Sequence, residues 1–206
     1  MNNVTEVLAG MAERRTEITV PAAAVEKLQG LMETRDGYFR KYAPNAHARC
    51  AEYLIRRKAG DPRGLFLVGA CGLGKSRFCQ DYLGAKIRTA GDIVKRYIEI
   101  GWGDNFAEWV HGTYNELQLK IPAEELVIDE LGWEPVAKRY GETSELLADI
   151  IGERYAIWQT HGIKTYIVTN LEPKQVEERY GRRITDRINE MCIGVQFKGT
   201  SARRAA

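Results

Sequence analysis

Leu65-Phe-Leu-Val-Gly69-Ala-Cys-Gly-Leu-Gly74-Lys75-Ser76 packs a strand, a loop and the start of a helix into twelve residues. The apolar run Leu65 to Val68 has the length and character of a strand buried on both faces. Behind it, Gly69, Ala70, Cys71, Gly72, Leu73, Gly74, Lys75 and Ser76 match GxxxxGK followed by Ser or Thr at every fixed position. Glycines let the backbone curl until its N–H groups point at phosphate oxygens, and a helix starting here adds the positive end of its dipole. Lys75 can then reach the β- and γ-phosphates of a nucleotide, and the Ser76 hydroxyl can ligate Mg²⁺. A chance glycine turn would not explain the apolar strand before the loop or the helix-forming segment after it. Cys71 and Leu73 fall where the motif leaves the residue free.

Outward from this loop the chain alternates strands and helices, the pattern of a parallel sheet covered on both faces. Strands are predicted at Leu65 to Val68, Ala85 to Arg88, Leu126 to Ile128, Thr165 to Val168 and Gly194 to Phe197. A helix precedes the fourth, with Leu146, Leu147, Ile150, Ile151, Tyr155 and Trp158 expected on its core face. Upstream, Val25, Leu28, Leu31 and Met32 recur at helical spacing. A second helix opens at Pro44-Asn45, with Ala51, Leu54 and Ile55 as its apolar side and Arg56, Arg57 and Lys58 at its end. The division this suggests is an arm and helical extension over 1–62 and a core over 63–206.

About fifty residues after the loop, Leu126-Val-Ile-Asp129-Glu130 ends a strand in two acids. At the carboxyl edge of a parallel sheet they would stand beside the phosphate loop. Asp129 can hold Mg²⁺ through water, and Glu130 can act as general base on an attacking water. Asn170, at the end of the fourth strand, would share that edge, beside the first strand if the order is the usual one. It can orient the water or sense the γ-phosphate, although an Asn at a strand end is more often a turn former. In the basic helix Tyr180 to Glu190, Arg183 and Arg187 lie four apart on one face. They suit either a neighbouring subunit's nucleotide or a nucleic-acid-facing surface.

With 206 residues the chain has room for one compact domain and an appendage, at about 150 residues per domain. Its 44% apolar and 28% charged residues and mean hydropathy of −0.38 are those of a soluble globular protein. No apolar run approaches the ~18 residues of a membrane span, and the first residues lack the pattern of a secretion signal. A cytoplasmic protein without membrane attachment is expected. Cys50, Cys71, Cys79 and Cys192 form no CxxC pair and the three histidines are scattered, which argues against a zinc site or disulfide framework.

The net charge of +2 hides a partition: +5 over 35–63, −9 over 99–156 and +5 over 179–206. Two basic flanks around an acidic middle suit a polyanion-binding surface and a complementary subunit interface, or merely solvated helix faces. Tyr97, Trp102, Phe106, Trp109 and Tyr114 are candidates for base stacking, with core packing as the expected role of most.

Taken together these blocks resemble the DnaC/IstB branch of the AAA+ ATPases, which are P-loop NTPases of the ASCE type. The resemblance runs from about Asn45 to Arg203. It rests on the phosphate loop, Asp129-Glu-Leu-Gly132, Glu153-Arg-Tyr155, Thr169-Asn-Leu171, Tyr180-Gly181 with Arg183 and Asp186-Arg187, and Phe197-Lys-Gly-Thr-Ser-Ala-Arg203. It implies a five-stranded parallel sheet flanked by helices, a short helical N-terminal extension and no full helical lid. It also makes Asn170 sensor 1, Arg187 an arginine finger acting in trans and Arg203 the sensor 2 arginine, with ATP and Mg²⁺ as ligands. By the same resemblance, the expected partners are further copies in a spiral or ring, DNA (single-stranded before duplex), and a replicative helicase or a transposase. Only fourteen positions separate Lys75 from Thr89, so the helix after the loop should be about two turns shorter than in such relatives.

Two activities follow from the resemblance: loading of a replicative helicase, and an IstB-like service to a transposase. A small-molecule P-loop kinase is the reading from another class. It would need an acceptor-binding lid, and nothing between Tyr97 and Ile121 has that character; Glu130 and the trailing arginines favour water as acceptor.

Overall fold

The computed structural model describes residues 18–35, 37, 41–112, 124–135, 137–139 and 142–201. The elements in chain order are α1 (Ala22–Arg35), α2 (Pro44–Lys58), β1 (Gly64–Gly69), α3 (Lys75–Phe78), β2 (Lys86–Thr89), α4 (Ala90–Ile100), α5 (Asp104–His111) and β3 (Leu126–Leu131). They continue with β4 (Ala137–Arg139), β5 (Glu142–Ser144), α6 (Leu146–His161), β6 (Thr165–Thr169), α7 (Pro173–Tyr180), α8 (Arg182–Met191) and β7 (Cys192–Phe197). Five strands form one sheet in the order β2-β3-β6-β1-β7, and every neighbouring pair is parallel. β4 and β5 make a separate antiparallel hairpin, which the sequence patterning did not indicate.

The period-2 alternation of the strands sorts their side chains into two cores. Phe66, Val68, Leu126, Ile128 and Ile167 face a layer built from α4 to α8. Leu65, Leu67, Val127, Tyr166 and Val168 face the layer of α1, α2 and α3, joined by Val195 and Phe197 of β7. Both faces are therefore dry, and each fully buried Leu, Ile or Phe contributes about 1.5–3 kcal/mol. The first two helices are thus a layer of the core.

Local chemistry sets several boundaries. Thr89 ends β2 and caps α4 by accepting the Asp92 N–H at 3.0 Å. Glu172 and Gln175 form a reciprocal capping box at the start of α7, with Pro173 in its first turn. α3 continues as a π-helical turn over Cys79–Leu83 and stops at Gly84, so the helix after the loop is short.

The predicted helix faces needed correction. In α2 the fully buried residues are Ala46, His47, Cys50, Ala51 and Tyr53, while Leu54 and Ile55 are only partly covered. In α1, Leu31 is 59% exposed. In α6, Arg154 and Ile157 are buried and Tyr155 and Trp158 lie at the margin. The Arg154 guanidinium is drawn in by acceptors at the amino ends of β3 and β6: Thr165 Oγ1 at 2.8 Å, Lys164 O at 2.9 Å and Glu124 O at 3.1 Å. Burial pushes its pKa down to about 10, against the pull of Glu125.

Candidate nucleotide-binding site

The loop after β1 crosses the carboxyl edge of the sheet. Gly72 and Gly74 sit at φ +81° and +91°, a region that side chains disfavour, and this lets the loop turn back before α3 begins. Leu73 is buried in the core layer that also holds Phe197, whereas Ala70 and Cys71 are exposed at the rim. Leu73 anchors the loop from below.

Lys75, the first residue of α3, folds back into this loop. Its Nζ donates to Gly69 O at 2.5 Å, Ala70 O at 2.8 Å and Asn170 Oδ1 at 2.8 Å. All three acceptors are uncharged, so the ammonium loses hydration without gaining a counter-charge. Burial lowers its pKa from 10.5 to about 8, with Cys71 and Asp129 pulling partly upward. A cation held this way attracts phosphate oxygens. Asn170 reaches it because β6 lies directly beside β1, with Val68 opposite Thr169.

The acid pair comes from β3. The Ser76 hydroxyl donates to Asp129 Oδ1 at 3.0 Å, and the same oxygen accepts the Glu130 N–H at 2.8 Å. Asp129 is buried and Glu130 exposed. Among the described residues no three His, Cys, Asp or Glu side chains gather into a metal cage. One hydroxyl and one carboxylate are nonetheless the modest donor set of Mg²⁺, which keeps waters and takes phosphate oxygens, and Ser76 and Asp129 fit it.

Glu130 is held in the left-handed region at φ +59°, which costs a non-glycine residue about 1–2 kcal/mol. The pairing of β3 with β6 shifts register between Ile128 and Leu131, so the strand bulges where its two acids stand. Such a conformation persists only where the surroundings over-determine it. The surroundings here are a cluster that sequence reasoning missed. Buried Glu134 accepts the Gly132 N–H at 2.8 Å, an Arg179 N–H at 2.9 Å and the Tyr180 hydroxyl. Arg179 also donates to Gly132 O at 2.7 Å and Glu134 O at 2.8 Å. Gly132 has φ +99° and presses on Leu171, where a Cβ would lie 2.4 Å from Leu171 Cδ1. A glutamate four residues after an acid pair carries no pattern of its own; the signal lies in the Arg179-Tyr180 pair, of which the sequence shows only a basic charge and the start of the Tyr180-Gly181 block.

The arginines of α8 have a different setting. Arg183 is exposed. Arg187 lies back on α6, its guanidinium 5.4 Å from the centre of the Tyr155 ring and close enough to Gly152 that a Cβ there would come within 2.7 Å of Nη1. Arg203 and Tyr114 fall outside the described residues. Of the proposed stacking residues Phe106 is buried and Tyr97 and Trp109 pack against the core, leaving Trp102, 46% exposed, as the accessible ring. The basic flanks are also partly spent internally, through Arg57 with Glu125 at 2.8 Å, Arg63 with Asp61 at 2.8 Å, Arg56 with Glu52 at 2.9 Å and Arg179 with Glu134. No described helix is long and apolar enough to cross a membrane.

Neither a protein-family model nor a curated protein matches the chain. Solved structures do. The crystal structure of the DnaC helicase loader is 18% identical with a TM-score of 0.52, over 74% of this chain and 90% of that one. The DnaI structure is 16% identical with a TM-score of 0.52, over 79% of this chain and 93% of that one. A candidate primosome component from Streptococcus pyogenes serotype M3 is 14% identical with a TM-score of 0.50, over 81% of this chain and 90% of that one. At such identities the likeness speaks to the fold. The strand order, the phosphate loop on the interior strand β1 and these likenesses together give the chain an α/β P-loop fold with a five-stranded parallel sheet, the fold of the DnaC helicase loader structure.

Proposed function

We propose that the chain binds ATP with Mg²⁺ and hydrolyses it as a DNA-associated AAA+ protein of the helicase-loader type. The observation that carries this reading is a pair of side-chain links across the sheet edge: Lys75 to Asn170 and Ser76 to Asp129 tie the phosphate loop to the ends of β6 and β3. In this reading Gly69 to Ser76 cradle the phosphates with backbone N–H groups, and Lys75 exchanges Asn170 Oδ1 for phosphate oxygens. Asn170, released, orients the attacking water, and Glu130 takes its proton. Mg²⁺ on Ser76 and Asp129 would offset the phosphate charge.

Arg187, as arginine finger, and Arg183 serve the nucleotide of an adjoining copy, and Arg203 is the sensor 2 arginine. The likeness to the DnaC helicase loader supports a helicase as client; a replicative helicase, single-stranded DNA as the bound polymer and an ATP-dependent spiral or ring as the working assembly belong to the same proposal and rest on the resemblance of the sequence blocks. Residues 63–206 carry the ATPase machinery in this proposal, with 1–62 as an extension whose helices α1 and α2 cover one face of the sheet. ATP turnover and nucleotide binding test the site: Lys75→Ala should lose both, and Glu130→Gln should bind ATP without turning it over. Wild-type turnover in Glu130→Gln would remove Glu130 from the mechanism.

A further inference from the structure

We infer that Glu134, Arg179 and Tyr180 are positioning residues that hold the Glu130 carboxylate in its hydrolytic orientation, an inference that rests on the hydrolytic reading above. Glu130 stands in a left-handed conformation, fixed on one side by its N–H bond to Asp129 Oδ1 and on the other by the chain that follows it. That chain turns back at once, the Trp133 N–H donating to Glu130 O at 3.1 Å. It is then bonded to α7 at three acceptors, Gly132 O, Glu134 O and Glu134 Oε1, all from the one Arg179 guanidinium. The planar fork of arginine suits this, since it donates to several acceptors at fixed angles where a lysine ammonium cannot. On the other side the loop is jammed against Leu171, the residue after Asn170, and Thr169 Oγ1 donates to Leu131 O at 2.7 Å.

Glu130, Asn170 and α7 are thus cross-bonded into one block. None of the clamp residues needs to touch nucleotide: Glu134 is buried, with its carboxylate spent on Gly132, Arg179 and Tyr180. Loss of the clamp frees the backbone at Glu130 and lets its carboxylate swing away from the water.

The test is a mutant cycle with Glu130. Single-turnover ATP hydrolysis and affinity for a fluorescent ATP analogue are measured for wild type, Glu134→Gln, Arg179→Lys and Glu130→Asp, which keeps a carboxylate and a slower but measurable rate, and for each clamp variant combined with Glu130→Asp, with melting temperature followed throughout. The expected result is a hydrolysis rate about 10- to 100-fold lower in Glu134→Gln at unchanged nucleotide affinity, with a much smaller fold-loss when Glu130→Asp is already present. Arg179→Lys, which keeps the charge and loses the fork, should behave likewise and supplies the answer if Glu134→Gln does not fold. Equal fold-losses with and without Glu130→Asp would mark a merely structural role and overturn the inference, as would full turnover in either clamp variant. Absence of turnover in the wild type overturns the hydrolytic reading and the clamp with it.

Discussion

Replacing Lys75 by Met in the nucleotide-free protein should remove a specific pH dependence of stability. Lys75 is 5% exposed, its amino group meets uncharged oxygens, and burial holds its pKa at about 8 against 10.5. The unfolded chain therefore binds more protons than the folded one between those two values, and stability rises with pH across that window. The penalty for keeping a buried ammonium is fully present below pH 8 and is relieved as the amine turns neutral. Integrated from pH 7 to pH 9.5, the displacement corresponds to about 2 kcal/mol. The rim at Ala70 and Cys71 is open to solvent, and screening there reduces the effect to about 1 kcal/mol, or about 2–4 °C in Tm for a chain of this size. Calorimetry of wild type and Lys75→Met at both pH values isolates the term, because every other titrating group is common to the two proteins. Wild type should gain about 2–4 °C relative to the variant on going to pH 9.5. Parallel Tm curves would show that Lys75 is hydrated in the empty loop and refute the reasoning.

If Arg187 acts across a subunit interface, mixing Arg187→Ala with Lys75→Ala protein should recover part of the ATPase activity that each lacks alone; no recovery at concentrations that support assembly would count against the role. Lys58, Arg183 and Lys198 have no ion pair among the described residues, and three phosphate contacts from them would weaken single-stranded DNA binding roughly 20-fold between 50 and 200 mM salt. A flat salt titration would exclude the electrostatic mode. Arg154→Met leaves Thr165 Oγ1, Lys164 O and Glu124 O without their buried donor, which should cost at least about 2 kcal/mol in chemical denaturation. An unchanged denaturation midpoint would mean that water replaces the guanidinium.

Much of this was legible in order along the chain. The phosphate loop is contiguous, so Gly69 to Ser76 could be read directly. The strand ending in Asp129-Glu130 could be read because apolar character and terminal acids are local properties, and the five strands of the parallel sheet agree with the sequence to within a few residues, whereas the short β4–β5 hairpin has no apolar pattern to mark it. The helix faces were less legible. Tyr155 and Trp158 have the right spacing for the core, yet the interior of α6 at that level is occupied by Arg154, whose polar acceptors come from residues far away in sequence.

The pattern Glu134, Arg179, Tyr180 could not be assembled from sequence either, since forty-five residues separate Glu134 from Arg179. Net charge over the basic flanks likewise counted cations without the carboxylates that meet them after folding. What residue order alone established was the chemistry of the loop and the succession of strands, because backbone curl and buried-strand character depend on neighbours in the chain. Folding settled the rest: it set β6 beside β1 so that Asn170 meets Lys75, laid Arg187 on Tyr155, and bent Glu130 into a strained conformation held by a distant arginine. Those contacts come from closure of the sheet and the layering of its helices, which bring together groups that no local pattern connects.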